Sequence, residues 1–334
     1  MKIIEIRPDR SLAVAERPDP VCGADEVVVD IYAAGVNRAD LMQRAGNYPP
    51  PPGAPDWMGL EIAGRIAKIG KEVPKEAGLA VGDRVCALLG GGGYAEKVNV
   101  RYDMVVKLPE NVDMAHGAVI PEAFATAYLN LMVEAHAAPG ETLFMPAGAS
   151  GLASVVIPMA KAFGLRVITT VRDEDCDNGA LSPAVAKLGA DLVINTSHED
   201  TAAVLKAECD AGRPVDIAID CVGGKALGTF LPYLSYAARY IVIAALAGEE
   251  TCVNLRTIYV KNIRIIGSTL RSRQNAVKAK ILAELGEKVM PLVADGTLEQ
   301  SICAVFPFAD AEKAHKLMDA KHAGKIVLIV REEA

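Results

Sequence analysis

Between residues 141 and 268 short apolar strands alternate with helical segments, and this alternation constrains the fold more than any other feature of the chain. "ETLFM" (141–145) leads into a helix of period 3.6 through Leu152, Val155, Val156, Met159, Ala160 and Phe163. "RVITTV" (166–171), a helix ending in "AVAKLGA" (184–190), "DLVIN" (191–195) and a helix near 200–211 follow. "VDIAIDCVGG" (215–224), "ARYIVIAAL" (238–246) and "NIRIIGS" (262–268) complete six strands. Repeated strand–helix–strand units require a parallel sheet covered by helices on both faces. The expectation is an α/β fold with a doubly wound parallel six-stranded sheet over residues 118–267.

The flanks have a different rhythm. "EVVVDIYAAGV" (26–36), "EIAGRIAKIG" (61–70) and "DRVCALL" (83–89) are branched, glycine-punctuated strands. "NYPPPPGAPDW" (47–57) must be an irregular loop, because proline cannot donate to a ladder. "QNAVKAKILAELGEKVMPLVADG" (274–296) predicts one long amphipathic helix, and "GKIVLIV" (324–330) a strand that rejoins the N-terminal part. Residues 1–117 and 268–334 are thus expected to form one β-rich domain, with the α/β domain inserted between them.

Between the first strand and helix of the inserted domain lies "MPAGASGLASVV" (145–156), with Gly148, Ser150 and Gly151 in the pattern G-x-S-G-x-A. Backbone N–H groups at such a corner, with the positive helix end behind them, can face a phosphate. Ala153 adds a methyl at the place of a third glycine, which a slightly wider strand–helix gap accommodates. A plain strand–helix corner gives the same pattern. Pro158 falls in the helix and removes one of its hydrogen bonds. The next strand ends in "TVRDED". Arg172 there can fork onto a 2′-phosphate, favouring NADPH, whereas Asp173 could take a ribose diol and favour NADH. A solvated charge cluster is the third reading of that stretch.

Composition excludes several classes. A formal charge of −7 and a pI near 5.4 argue against a general attraction to nucleic acid or anionic membrane. "MKIIEIRPDR" lacks the apolar core of a signal peptide, and no apolar run reaches the ~18 residues of a membrane span. Seven scattered cysteines without a CxxC pair suit reduced thiols in a cytoplasmic protein. The five histidines are equally dispersed, so no metal site is expected.

"AAGVNRADLMQRAGNYPPPPGAPDWMGLEIAG" (33–64), "PEAFATAY" (121–128), "AGASGLA" (147–153), "DCVGG" (220–224), "LRSR" (270–273) and "GKIVL" (324–328) occur in this order over essentially the whole chain. In these stretches the sequence resembles the zinc-free quinone oxidoreductases of the medium-chain dehydrogenase/reductase superfamily. It is most similar to the branch of the tumour-suppressor-inducible quinone reductase, and more distantly to zeta-crystallin. The resemblance implies a GroES-like catalytic domain, a Rossmann domain, a nicotinamide cofactor and a homodimer. Zinc-dependent relatives carry a cysteine at the position of Asn37 and a histidine at the position of Leu60. Neither residue present here is a good zinc ligand, so the resemblance implies no zinc. Without a Lewis acid, an already electrophilic quinone or enone is the favoured acceptor.

By the same resemblance Asn37, Thr126 and Lys325 border the nicotinamide and its ribose or phosphate. Gly148, Ser150, Gly151 and Leu152 form the pyrophosphate turn, and Cys221, Val222 and Gly223 lie near adenosine. Ala245 and Leu246 end a strand on the nicotinamide side, Leu270 and Arg271 close over the cofactor, and Tyr48 stands at the substrate cleft between the domains. Plainer roles compete: Asn37 as a loop cap, Tyr48 as a turn residue, Lys325 as a surface lysine, Cys221 as packing. Glu61, at a zinc-ligand position of relatives, is expected to be a structural acceptor. Phe124, Tyr128 and Trp57 fit a cleft or a core equally. Met42 and Thr196 stand where relatives have tyrosines. Hydride transfer from NADPH, or alternatively NADH, to a quinone is the expected reaction, with Tyr48 or solvent supplying the proton. Reduction of a C=C bond conjugated to a carbonyl is the alternative, and a crystallin-like cofactor-binding protein the third.

Overall fold

A computed structural model describes residues 1–177, 179–320 and 324–333. It divides into two compact units, Met1–Ala125 with Leu270–Ala334, and Thr126–Thr269. Residues 118–125 therefore group with the β-rich unit, and the first division falls inside the helix Pro121–Tyr128.

The β-rich unit is organised by Glu26–Val36, an eleven-residue strand in which Val27, Val28, Val29, Ile31 and Val36 are all buried. Branched side chains on such a run fill the pleat from both faces. It pairs antiparallel with Glu61–Ile69, Lys97–Arg101 and Lys325–Ile329. The closing strand thus returns to the N-terminal sheet as the sequence predicts. The seven-stranded sheet runs Ile302–Pro307, Lys325–Ile329, Glu26–Val36, Glu61–Ile69, Arg84–Leu88, Val105–Lys107, with Lys97–Arg101 branching from Glu26–Val36. The single helix expected over 274–296 is two helices, Asn275–Lys288 and Met290–Ala294. Pro291 explains the break: it lacks an N–H and is tolerated only in the first turn of a new helix.

The α/β unit has six parallel strands in the order Leu192–Asn195, Arg166–Val171, Thr142–Met145, Val215–Asp220, Leu234–Val242, Arg264–Gly267. In chain order this is 3-2-1-4-5-6, the Rossmann arrangement, whose direction reverses between the first and fourth strands. Phe144, Ile168, Ile194, Ala218 and Tyr240 make one core, and Phe230 packs edge-on to Phe144 at 5.3 Å. Two expectations shift. The fifth strand begins at Leu234 and ends at Val242, leaving Ala245 and Leu246 in the loop beyond it. The helix expected to end over 184–190 is one turn, Pro183–Ala186, started by its proline. Phe124 and Tyr128 are buried core residues.

Candidate functional site

In the α/β unit the glycine turn leaves the strand Thr142–Met145 at the point where the sheet order reverses, and the helix Ala153–Ala162 follows it. Gly148 donates its N–H to the Thr170 carbonyl at 2.8 Å, and Ala147 donates to Thr170 Oγ1 at 3.0 Å. A Cβ on Gly148 would stand 2.5 Å from Thr169 Oγ1, so no larger residue fits without a shift. Ala147 itself holds φ +58°, a left-handed conformation that costs a non-glycine residue energy. Ser150 Oγ accepts the Ala153 N–H at 3.1 Å, so its oxygen caps the helix while its hydrogen stays able to donate outward. Leu152 is the N-cap residue. Strand order, backbone path and close approach fit a dinucleotide diphosphate.

The neighbouring strand ends carry the other expected residues. Asp220, fully buried, accepts the Val222 and Gly223 N–H groups at 2.7 and 3.0 Å and the Tyr240 hydroxyl at 2.8 Å. It shapes the turn through Cys221, Val222 and Gly223, the stretch expected near adenosine. Gly223 has φ +68°, and a Cβ there would sit 2.7 Å from Ala245 Cα, which brings the two loops together. Ala247 N–H donates to the Val222 carbonyl at 2.7 Å and fastens them. Cys221 is buried, and burial pushes its thiol up to about 11, as a packing residue requires. Leu246 is exposed.

Arg172 lies past the strand Arg166–Val171 with its side chain exposed and paired to Glu174, and more distantly to Asp175 at 4.0 Å. Asp173 accepts from Asn195 Nδ2 at 2.9 Å and meets His198 at 2.8 Å. The stretch is exposed to solvent and sets one arginine among three carboxylates. Thr126 offers its carbonyl to Asn130 Nδ2 at 2.7 Å, where the helix Pro121–Tyr128 passes into a π-helical turn, Leu129–Glu134. Such turns concentrate at functional positions.

In the β-rich unit a second cluster forms around Asn37. Its Nδ2 donates to Glu61 Oε1 at 2.9 Å, its Oδ1 accepts from Lys325 Nζ at 2.6 Å, and Lys325 reaches Glu61 at 2.8 Å. All three are buried. Burial pulls the Lys325 ammonium down, but the Glu61 charge and its neighbours outweigh this and leave it raised and protonated. Lys325 is therefore not a surface lysine. Glu61 also accepts the Glu122 N–H at 2.9 Å through its other oxygen, as a structural acceptor does.

The sequence reading missed what lies behind Asn37. Asp40 accepts the Asn37 N–H at 2.8 Å, the Gly59 N–H at 3.1 Å and the Tyr94 hydroxyl at 3.2 Å. Burial pushes its carboxyl up to about 6 against the pull of those donors. Tyr94 in turn meets His315 Nε2 at 3.2 Å, and burial lowers that imidazole to about 4. The N-x-x-D spacing at a helix start was the available signal, since a residue at the third helical position reaches back to the cap.

Tyr48 is held by Arg271. The guanidinium donates to the Tyr48 carbonyl at 3.2 Å, to Gln43 Oε1 at 2.7 Å and to the Gly90 carbonyl at 2.7 and 3.0 Å. Its carbon lies 4.7 Å from the centre of the Tyr48 ring. Arg271 thus braces the proline loop, a role the sequence did not show, and its hydrogen bonds are made inside its own unit. Burial raises the Tyr48 phenol, with the Arg271 charge opposing. Leu270 is buried beside it. Among the described residues no three His, Cys, Asp or Glu side chains are grouped to hold a metal, and no helix is long and apolar enough to cross a membrane.

Residues 23–110 match the alcohol dehydrogenase GroES-like domain, and residues 151–286 match the zinc-binding dehydrogenase family. The quinone oxidoreductase of Sus scrofa is 29% identical over 93% of this chain and 91% of its own. The lovastatin diketide synthase lovF of Aspergillus terreus is 30% identical over 92% of this chain, which spans only 12% of that synthase. Among solved structures, the Escherichia coli quinone oxidoreductase complexed with NADPH superposes with a TM-score of 0.80 at 26% identity, covering 98% of this chain and 99% of the other.

Proposed function

Because the chain belongs to the medium-chain dehydrogenase/reductase superfamily, we propose that it is an NAD(P)H-dependent oxidoreductase that reduces a quinone with NADPH and without zinc. The observation that carries the reading is the glycine turn at the reversal point of a 3-2-1-4-5-6 sheet, too close to its neighbouring strand for any side chain on Gly148. Gly148, Ser150, Gly151 and Leu152 would hold the diphosphate, and Cys221, Val222 and Gly223 the adenosine side. Arg172 would meet the 2′-phosphate. Thr126, Ala245, Leu246, Leu270, Asn37 and Lys325 would bind the nicotinamide end. When bound, the cofactor supplies the hydride. The chain's own contribution is orientation and exclusion of water. Lys325, fixed by Glu61, presents Asn37 in one rotamer, and Tyr48, braced by Arg271, faces the acceptor. Leu60 makes the surroundings apolar where zinc relatives place a ligand.

Seven free thiols fit a reducing cytoplasm. The edge strand Arg264–Gly267, with Tyr259, Val260 and Ile265 exposed nearby, fits a second copy of the chain and hence a homodimer. Similarity to synthases that build diketide and tetraketide chains favours a second reading, reduction of a C=C bond conjugated to a carbonyl. Purified protein should oxidise NADPH in the presence of a quinone. Deuterium from labelled NADPH that ends on an acceptor carbon selects the second reading. Absence of turnover with every quinone and enone, with either cofactor, overturns both.

A further inference from the structure

Lys278 lies on the helix Asn275–Lys288 and is 9% exposed. Its ammonium makes one hydrogen bond among the described residues, a long one of 3.4 Å to the Arg271 carbonyl, and no ion pair. Burial, with the like charge of the Arg271 guanidinium adding to it, lowers the lysine below its usual value. A buried cation in this state costs folding energy. It lines a small cavity walled by Leu60, Leu88, Leu89 and Leu270, with Glu122 and Arg271 completing the lining. The free centre of that cavity is about 10 Å³, room for one oxygen-sized group. One of its walls reaches the candidate site: Arg271 also lies over the Tyr48 ring at 4.7 Å and donates to the Tyr48 carbonyl at 3.2 Å.

We propose that Lys278 is a catalytic residue that binds the carbonyl oxygen of the acceptor in this leucine-walled hole and gives it a proton as it is reduced. The inference rests on the quinone reading above. The balanced step takes two electrons and a hydrogen to the quinone as hydride from the cofactor. The oxyanion left on the acceptor then forms an O–H bond as one Nζ–H bond of Lys278 breaks, and water returns the proton to the amine. Beside a wall of leucines an ammonium donor is worth more than in water. Other charges near the helix are already engaged: Asp103 with Arg101 and Lys107 with Asp83. Glu122 and Arg271 are the charged groups that share the cavity.

Lys278→Met and Lys278→Gln are measured with NADPH and 1,4-benzoquinone, alongside thermal unfolding and NADPH binding. Removing a buried ammonium that has no ion pair among the described residues should raise the melting temperature of Lys278→Met while its kcat falls about 100-fold, the scale of a general acid. NADPH affinity should stay unchanged. In wild type, kcat should fall as pH rises through the lowered lysine value and should slow in heavy water, and both effects should vanish in Lys278→Gln. A lower melting temperature in Lys278→Met, or wild-type kcat in either variant, overturns the proposal and makes Lys278 structural. A wild type that reduces no acceptor at all instead overturns the quinone reading on which it rests.

Discussion

Lys325 Nζ donates to Asn37 Oδ1 at 2.6 Å, joining two residues 288 positions apart, and the carboxylate of Glu61 lies within 2.9 Å of both. The strand pairing Lys325–Ile329 to Glu26–Val36 brings them together, since Ile326 stands opposite Val36 in the register. Chain ends and chain start are thus joined at the residue expected to meet the nicotinamide.

That triad sets the first prediction. Lys325→Met leaves Glu61 buried with no cation, which should cost about 3–5 kcal/mol in urea unfolding. Glu61→Gln in the same chain removes the stranded charge and should recover much of the loss. Strictly additive losses in the double variant would mean that the two side chains do not act as a pair.

A second prediction concerns pH. Asp40, held near 6, is ionised above that value and then accepts the Asn37 N–H; below it, protonation takes away acceptor capacity and Asn37 loses its anchor. For folding the sign is opposite. The carboxyl is raised, so its contribution to stability is fully present below the unfolded value and is lost as pH rises through about 6. We expect kcat/KM to fall as pH drops through about 6. His315, lowered to about 4, is already neutral there and does not produce the limb. Tyr94→Phe deletes a hydroxyl donor to the carboxylate and should move the limb to higher pH. An unmoved limb would detach Asp40 from the site.

Cofactor choice provides the third. Arg172 is exposed and engaged with Glu174, a pair worth little in water. A 2′-phosphate can therefore displace it, at a small cost. Arg172→Ala should weaken NADPH by about tenfold more than NADH, and Glu174→Gln should tighten NADPH. Calorimetry that finds equal losses for the two cofactors in Arg172→Ala would take this arginine away from the phosphate.

What the sequence made legible was set by period and by local punctuation. Glu26–Val36 and Arg166–Val171 have the predicted bounds because branched runs end at turn residues. The glycine turn was legible because the close approach of Thr169 to residue 148 requires a small residue at that one place. Long-range polar pairing was not. Nothing in "DAEKAH" announces that His315 will meet Tyr94, nor in "NAVKAK" that Lys278 faces a hole. Arg271 illustrates the same gap: the tetrapeptide "LRSR" marked its importance, but its partners Gln43, Tyr48 and Gly90 come from segments about 180 or more positions away. Side-chain hydrogen bonds across such separations leave no periodic trace, so only the folded chain shows them.

The fourth prediction returns to Gly148. A methyl there would come within 2.5 Å of Thr169 Oγ1 and 3.1 Å of its Cγ2, so the turn must move or Thr169 must. Thr169 is itself tied down, its hydroxyl donating to the Met145 carbonyl at 2.6 Å. The backbone therefore yields, and the N–H groups of the turn lose their aim. Gly148→Ala should raise the NADPH dissociation constant about tenfold, a loss of ~1.4 kcal/mol, with a smaller effect on unfolding. Thr169→Ala empties the contested volume at the expense of one buried hydrogen bond. The double variant should then bind NADPH more tightly than Gly148→Ala alone while being less stable than wild type. If it binds no better, crowding against Thr169 is not what keeps residue 148 a glycine.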